Sequence, residues 1–259
     1  MYALVTGASS GIGKHYAEQL AAHYHYDLFL VSNQPNELNQ LSVDLQNRFA
    51  VQVKTLAINL AQLNAAEEVF AFAKTEKIEV EVLVNNAGML IFNTLTRTEP
   101  GQMETLLQLH VVTATKLCRL FAEEMIARKK GFIINMSSMT AWTALPTIPL
   151  YNATKNYILS FSRSLWYELH PHGVHVLAVA PGSTNTGLLP FPPRYARILI
   201  RWGITMQPQT LVRRALNQLF NTSRKVYLAG AWNYISVPLL KHLPDRLIFR
   251  LLRKMGFTE

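Results

Sequence analysis

Short apolar runs rich in β-branched residues alternate with longer amphipathic stretches along most of the chain. Mainly apolar runs of this kind are typical of parallel strands buried on both faces, and their alternation with helices predicts an α/β fold. We therefore predict one doubly wound parallel sheet of about seven strands, flanked by helices on both faces. The predicted strands are Tyr2–Val5, Asp27–Val31, Val51–Ala57, Val80–Val84, Phe132–Asn135, Val174–Val179 and Lys225–Leu228.

The stretches between these runs have the period of amphipathic helices. With 49% hydrophobic and only 16% charged residues, the chain can form a large core and is not typical of disordered proteins. No repeat or flexible linker divides it, so we expect one domain over residues 1–259. In such folds ligands bind beyond the carboxyl ends of the strands, where functional residues should lie. The predicted helices are 14–24, 36–49, 61–76, 99–128, 151–170 and 207–220.

A glycine-rich segment follows the first predicted strand and opens the first helix. Glycines there permit a tight turn and let the backbone approach a pyrophosphate, and the helix N-terminus offers free N–H groups to the phosphates. A structural turn is the alternative, but the position between strand and helix favours a Rossmann-type dinucleotide site. The candidate cofactor-binding residues are Gly7, Ser9, Ser10, Gly11, Ile12 and Gly13.

The second strand is followed by Ser32 and Asn33, where NAD-binding proteins carry a carboxylate for the ribose hydroxyls. A carboxylate would repel the additional phosphate of NADP, and none is present here. No Arg or Lys occupies Ser10, Ser32 or Asn33 either. Since the chain has a net charge of +9, we expect NADP(H) to be favoured over NAD(H).

Further motifs follow the fourth, fifth and sixth predicted strands. They are Asn85-Asn86-Ala87-Gly88, then Ser137-Ser138 with Tyr151-Asn152-Ala153-Thr154-Lys155 beyond it, and Pro181-Gly182-Ser183-Thr184-Asn185-Thr186. Together with the glycine loop, in this order and spacing over residues 2–187, they resemble the short-chain dehydrogenase/reductase family. The match to a branch acting on lipid- or steroid-like substrates is looser.

The resemblance implies hydride transfer between nicotinamide and a carbonyl or alcohol carbon, with Ser138, Tyr151 and Lys155 as catalytic residues. A phenol with an ordinary pKa of about 10 needs help to exchange a proton near neutral pH. Lys155 shares a helical face with Tyr151 and should stabilise the phenolate, while Ser138 should orient the substrate oxygen. No metal is expected. The cofactor-binding residues that the resemblance adds are Asn86, Ala87, Gly88, Tyr151, Lys155, Pro181, Gly182, Thr184 and Thr186.

The chain departs from the family pattern at two further positions. His110 occupies the place of an asparagine that completes a proton relay with the lysine; it is expected either to replace that relay or to be a buried structural histidine. Asn59 replaces an acidic residue near the adenine and can still form a hydrogen bond.

Residues 187–206 correspond to the family's substrate lid and are mainly apolar, which favours a hydrophobic substrate or a lid that packs on its neighbours. Residues 238–259 predict a basic amphipathic helix, which suits an anionic membrane surface, the protein's own core or a partner subunit. Residues 169–259 carry 12 basic and two acidic side chains. This asymmetry fits an acidic carrier, a phosphate-bearing ligand or a basic oligomer face.

Two other functional alternatives follow from these features. One is a reductase of carrier-linked 3-oxoacyl groups, and the other is a catalytically silent, cofactor-binding regulator or scaffold in which His110 has broken the relay. The family also suggests a homodimer or homotetramer formed through 99–128 and 151–170. No nucleic-acid partner is expected, because no recognised reader motif occurs.

The compartment is predicted from the termini and the single cysteine. Cys118 cannot form an internal disulfide and is expected to be a core thiol. The N-terminus lacks the basic flank and apolar length of a secretion signal. We therefore expect a cytoplasmic protein, with peripheral membrane association as the further possibility.

Overall fold

The computed structural model describes residues 1–142, 148–184, 205–242 and 244–254. Seven parallel strands form one sheet in the order β3-β2-β1-β4-β5-β6-β9, which confirms the predicted fold class. The order reverses between β1 and β4, so a crevice opens beyond their carboxyl ends. The sheet strands are β1 Tyr2–Thr6, β2 Asp27–Ser32, β3 Val53–Ala57, β4 Val80–Asn85, β5 Gly131–Met136, β6 Val174–Ala180 and β9 Val226–Leu228.

Two further strands of two residues each form a separate parallel pair. They are β7 Ser183–Thr184 and β8 Thr205–Met206. Prolines begin four of the helices, where a missing N–H costs no hydrogen bond and the fixed φ suits the first turn. The helices are α1 Gly11–Tyr24, α2 Pro35–Phe49, α3 Ala65–Thr75, α4 Pro100–Leu107, α5 Ala114–Arg128, α6 Pro149–Leu169, α7 Pro208–Asn221, α8 Ala231–His242 and α9 Asp245–Lys254.

The sheet separates two hydrophobic clusters, as a doubly wound fold requires. Successive residues of a strand point to opposite faces, so Leu28 packs into one cluster and Phe29 into the other. Tyr16 of α1 is fully buried in the first cluster and Phe121 of α5 in the second. Cys118 is 1% exposed in the second cluster, which confirms the core thiol.

Two predicted helices are interrupted. The stretch 99–128 contains α4 and α5 joined by a π-helical segment, Gln108–Thr113. The C-terminal stretch is divided into α8 and α9, with Pro244 between them, because proline disfavours a continuous helix through the residue before it. The predicted lid lies outside the described residues except for β8.

Candidate active site

The loop after β1 can be formed only by small residues. Gly7 has φ +63°, and a Cβ there would lie 2.9 Å from the Cα of Ala87. A Cβ on Gly13 would overlap the carbonyl oxygen of Gly7 and lie 2.6 Å from Nδ2 of Asn86. Side chains at either position would therefore force apart the two loops that meet at the crevice.

Thr6 and Asn86 fasten these loops together. The Thr6 hydroxyl accepts hydrogen bonds from the main-chain N–H groups of Asn86 (2.9 Å) and Ala87 (3.0 Å) and donates to the Val84 carbonyl. The Asn86 amide donates to the carbonyls of Thr6 (3.0 Å) and Gly7 (3.2 Å). Asn86 therefore holds the two loops together. Thr6 does the same, although the sequence analysis did not single it out.

The N-terminus of α1 fits a dinucleotide phosphate. Ser10 precedes the helix in an extended conformation, and its side chain forms no capping hydrogen bond. The first-turn N–H groups at Gly11, Ile12 and Gly13 have no partner within the helix, and with the helix dipole they form an anion-binding end. The glycine cradle and this donor set suit the pyrophosphate of a nicotinamide dinucleotide.

Uncharged hydroxyl and amide groups lie at the end of β2. The Ser9 hydroxyl is 2.8 Å from the Ser32 hydroxyl and donates to Oε1 of Gln34 at 2.6 Å. Asn33 is exposed beside them. Asn59, after β3, is also exposed, and its Oδ1 accepts the Ala61 N–H at 3.0 Å. The hydroxyl and amide groups named here are polar and uncharged, and none of them is a carboxylate.

Tyr151 and Lys155 lie in the first two turns of α6. The Lys155 ammonium is buried, donates to the Met136 carbonyl oxygen at 2.9 Å and is 5.4 Å from the centre of the Tyr151 ring. The Ser137 hydroxyl donates to the Lys155 carbonyl at 2.8 Å and holds α6 against the end of β5. Ser138 follows in the chain and forms a hydrogen bond with Tyr151. The three predicted catalytic side chains therefore meet at one place.

The protonation states differ from the simple expectation of an acidified phenol. Burial lowers the pKa of Lys155 to about 8. Burial raises the pKa of Tyr151, and the hydrogen bond with Ser138 opposes this rise without reversing it. The lowering expected from Lys155 does not reverse it either, because that ammonium is bonded to the Met136 carbonyl and lies 5.4 Å from the centre of the ring.

His110 is buried at the edge of this group, with its ring 5.8 Å from that of Tyr151 in an edge-on arrangement. Its Nε2 accepts the Met89 N–H at 3.0 Å, and its Nδ1 is 3.0 Å from the Thr154 hydroxyl. A Cβ on Gly88 would lie 3.0 Å from Nε2, so a larger residue there would press against the ring. Thr154 is a second contributor that the sequence analysis quoted but gave no role.

The segment after β6 is bonded to the loop that follows β5. The Pro181 carbonyl accepts the Met139 N–H at 2.9 Å, and the Thr184 hydroxyl donates to the Gly182 carbonyl at 3.2 Å. Thr186 lies outside the described residues. The predicted site residues that are described thus follow the carboxyl ends of β1 to β6.

Mainly apolar side chains from the β4–α4 loop, from α4 and from the start of α6 surround a small pocket with Tyr151 in its wall. Asn93 and Thr98 also line it, and Leu95 is 54% exposed. Such a wall suits hydrocarbon rather than a charged group. The apolar members are Ile91, Leu95, Leu106, Ile148, Pro149 and Leu150.

Comparison with known proteins identifies the family. Residues 1–191 match the family model for short chain dehydrogenases. The chain is 29% identical over 247 residues to a very-long-chain 3-oxoacyl-CoA reductase of Phaeosphaeria nodorum, covering 93% of this chain and 68% of the relative.

Two solved structures share the fold over nearly the whole chain. A 7β-hydroxysteroid dehydrogenase has a TM-score of 0.86 at 27% identity, covering 98% of this chain and 96% of its own. A short-chain dehydrogenase from Sphingobium yanoikuyae, in complex with NADPH, has a TM-score of 0.78 at 29% identity, with coverage of 98% and 94%. The chain therefore belongs to the short-chain dehydrogenase/reductase family and is an NAD(P)-dependent oxidoreductase.

Proposed function

We propose that the protein is an NADP(H)-dependent reductase of a ketone on a hydrophobic molecule, with Tyr151 as the proton donor. The observation that carries this proposal is the meeting of Ser138, Tyr151 and Lys155 where β5 ends. The family assignment makes the protein an enzyme, and these groups are all retained. The alternative of a silent cofactor-binding regulator therefore loses its support.

The protein's own groups handle the proton. When bound, the nicotinamide supplies the hydride, and the Ser138 hydroxyl orients the substrate oxygen. Burial keeps Tyr151 protonated at neutral pH, so it is available as an acid when the alkoxide develops. The Lys155 ammonium then stabilises the phenolate that the proton leaves behind.

The decisive experiment follows NADPH and NADH oxidation over aliphatic, steroidal and acyl ketones. Tyr151→Phe should abolish turnover with the best substrate, since it removes only the reacting hydroxyl. Tyr167→Phe is the matched control, because Tyr167 lies at the far end of the same helix, is 62% exposed and bonds to Lys225 outside the site. Turnover by Tyr151→Phe at the wild-type rate would refute the proposal.

NADP preference rests on the uncharged end of β2. Asn33→Asp adds one negative charge at an exposed position without changing the side-chain shape. We expect it to lower the ratio of kcat/KM with NADPH to that with NADH, because the carboxylate repels the additional phosphate. Asn47→Asp, exposed on α2, makes the same change elsewhere and should leave the ratio unchanged. A wild-type protein with higher kcat/KM for NADH would contradict NADP preference.

A 3-oxoacyl thioester is the second candidate substrate. The relative named above is a 3-oxoacyl-CoA reductase, and the apolar wall beside Tyr151 suits an acyl chain. The basic C-terminal third suits an acidic carrier or a phosphate-bearing one. Carrier- or CoA-linked 3-oxoacyl groups should then be reduced much faster than a free ketone of equal chain length. Equal rates would favour the free ketone.

Self-association and membrane contact are proposed from exposed apolar groups. Leu107, Val112 and Tyr157 are exposed on the segments around α4, α5 and α6, which suits a homodimer or homotetramer. Sedimentation as a monomer at micromolar concentration would contradict this proposal.

The described part of α9 exposes Leu247 and Phe249 among Arg246, Arg250 and Arg253. We propose that the protein is cytoplasmic and that this helix makes peripheral contact with anionic lipid. Within the described ranges, the helices are too short or too polar to cross a bilayer. Failure to sediment with anionic vesicles at low salt would contradict lipid contact.

A further inference from the structure

His110 lies in the π-helical segment between α4 and α5 and is only 3% exposed. Such segments are rare and occur often at functional sites, because the widened turn redirects the side chains within it. Here the histidine contacts two separate parts of the crevice, the loop after β4 and the first turns of α6.

The hydrogen bonds around the ring determine its tautomer. The Met89 N–H can only donate, so Nε2 must carry the lone pair and Nδ1 must carry the proton. Nδ1–H then donates to the Thr154 hydroxyl, which in turn donates to the Tyr151 carbonyl at 2.8 Å. Three bonds with one consistent direction therefore connect the loop after β4 to the backbone of Tyr151.

Both ring nitrogens are used by these bonds, and none is left to exchange a proton with Lys155. We infer that His110 is a positioning residue: as the neutral Nδ1–H tautomer it holds the Gly88–Met89 backbone at a set distance from the turn of α6 that carries Tyr151. The inference rests on the proposed function, and it replaces the expected proton relay with a mechanical connection between the cofactor loop and the proton donor.

The surroundings of the ring favour the neutral form. The titratable groups that face it are Lys155 and Tyr151, both on α6. Burial first, and then the Lys155 ammonium, lower the pKa of His110 well below its ordinary value. Protonation of Nε2 would also place one N–H against that of Met89 and break the connection.

The first test reads the tautomer directly and needs no activity. Long-range 1H–15N correlation spectra of 15N-histidine-labelled protein, compared with His110→Gln for assignment, should show an Nδ1–H imidazole. Its shifts should not change between about pH 5 and pH 8, where an ordinary histidine titrates. An Nε2–H tautomer, or titration in that range, would overturn the inference whatever the substrate proves to be.

The second test separates positioning from proton relay. Thr154→Val keeps the side-chain shape but removes the hydroxyl, and His110→Gln keeps an acceptor for Met89 but loses the Nδ1–H donor. Each should lower kcat/KM between about 10- and 100-fold, because small displacements of reacting groups are costly. The double variant should be no worse than the poorer single variant, since both changes break the same connection.

The pH profile and two further variants complete the test. The pH at which activity changes should be unaffected in Thr154→Val and His110→Gln, while Thr154→Ser should bring kcat/KM back toward the wild-type value. Thr75→Val, which removes an exposed hydroxyl bonded to its own helix α3, controls for the substitution itself. Full activity in Thr154→Val together with a shifted pH profile in His110→Gln would instead indicate a relay. Absence of turnover in the wild-type protein would count against the proposed function and leave the spectroscopic test intact.

Discussion

Replacing Lys155 by methionine should weaken catalysis and strengthen the fold at the same time. The ammonium lies 5.4 Å from the centre of the Tyr151 ring, over which phenolate charge is delocalised. With an effective dielectric constant of about 20, a unit charge at that distance stabilises the phenolate by about 3 kcal/mol. We therefore expect kcat at saturating cofactor to fall by about 100-fold in Lys155→Met.

The same ammonium destabilises the folded protein at neutral pH. The pKa of Lys155 is about 8 in the fold against 10.5 for an ordinary lysine, a difference of about 3 kcal/mol in the free energy of unfolding. Below about pH 8 the whole of this destabilisation applies, and it disappears as the pH rises toward 10.5. Loss of the hydrogen bond to the Met136 carbonyl offsets about 1 kcal/mol. Lys155→Met should thus be more stable by about 2 kcal/mol at pH 7.

Thermal and urea unfolding at pH 7 and pH 10, with steady-state kinetics on the same preparations, measure both effects. Lys54→Met is the matched control, because Lys54 is 41% exposed and water screens its ion pair with Glu76. Wild-type kcat in Lys155→Met, or a lower unfolding temperature at pH 7, would refute the reasoning.

Three further predictions follow from the site and the core. Gly13→Ala should weaken cofactor binding, measured by NADPH fluorescence, by more than about 10-fold, because its methyl group would collide with Gly7 and Asn86. Gly101→Ala, which adds a methyl group in open space on α4, should leave cofactor binding unchanged. The rate of ketone reduction should fall as pH rises through about 8 and Lys155 loses its charge, and a flat profile up to about pH 10 would contradict this role. Burial raises the pKa of Cys118 to about 12, so a thiol reagent should label it only in denaturant, and rapid labelling of the native protein would count against the buried position.

The fold could be predicted because its determinants are periodic and local. Apolar runs set the strands to within two residues of their observed ends, as with Tyr2–Thr6 and Val80–Asn85. The residues that follow those strands could be placed in one crevice, because parallel strands end at the same edge. The interruption at Gln108–Thr113 could not be predicted, since one additional residue in a turn leaves the hydrophobic pattern nearly unchanged.

The details of the site depend on tertiary contacts that spacing does not encode. Tyr151 and Lys155 are four residues apart, which indicates a shared face but not that the ammonium would bond to Met136. The partners of His110 are 21 and 44 residues away in sequence, and the roles of Thr6 and Thr154 depend on which loops they meet. The role of such a hydroxyl group cannot be predicted from the sequence, because it depends on which residues lie next to it in the fold.

The short β7–β8 pair has a consequence for grafting. Ser183 and Thr205 are joined by their hydroxyl groups at 2.9 Å, although 21 residues separate them in the chain. The described residues on either side of 185–204 are therefore fastened to each other. A graft that replaces only 185–204 keeps both halves of this clasp, so we expect the crevice that holds Tyr151 to stay in place while the preference for substrate changes.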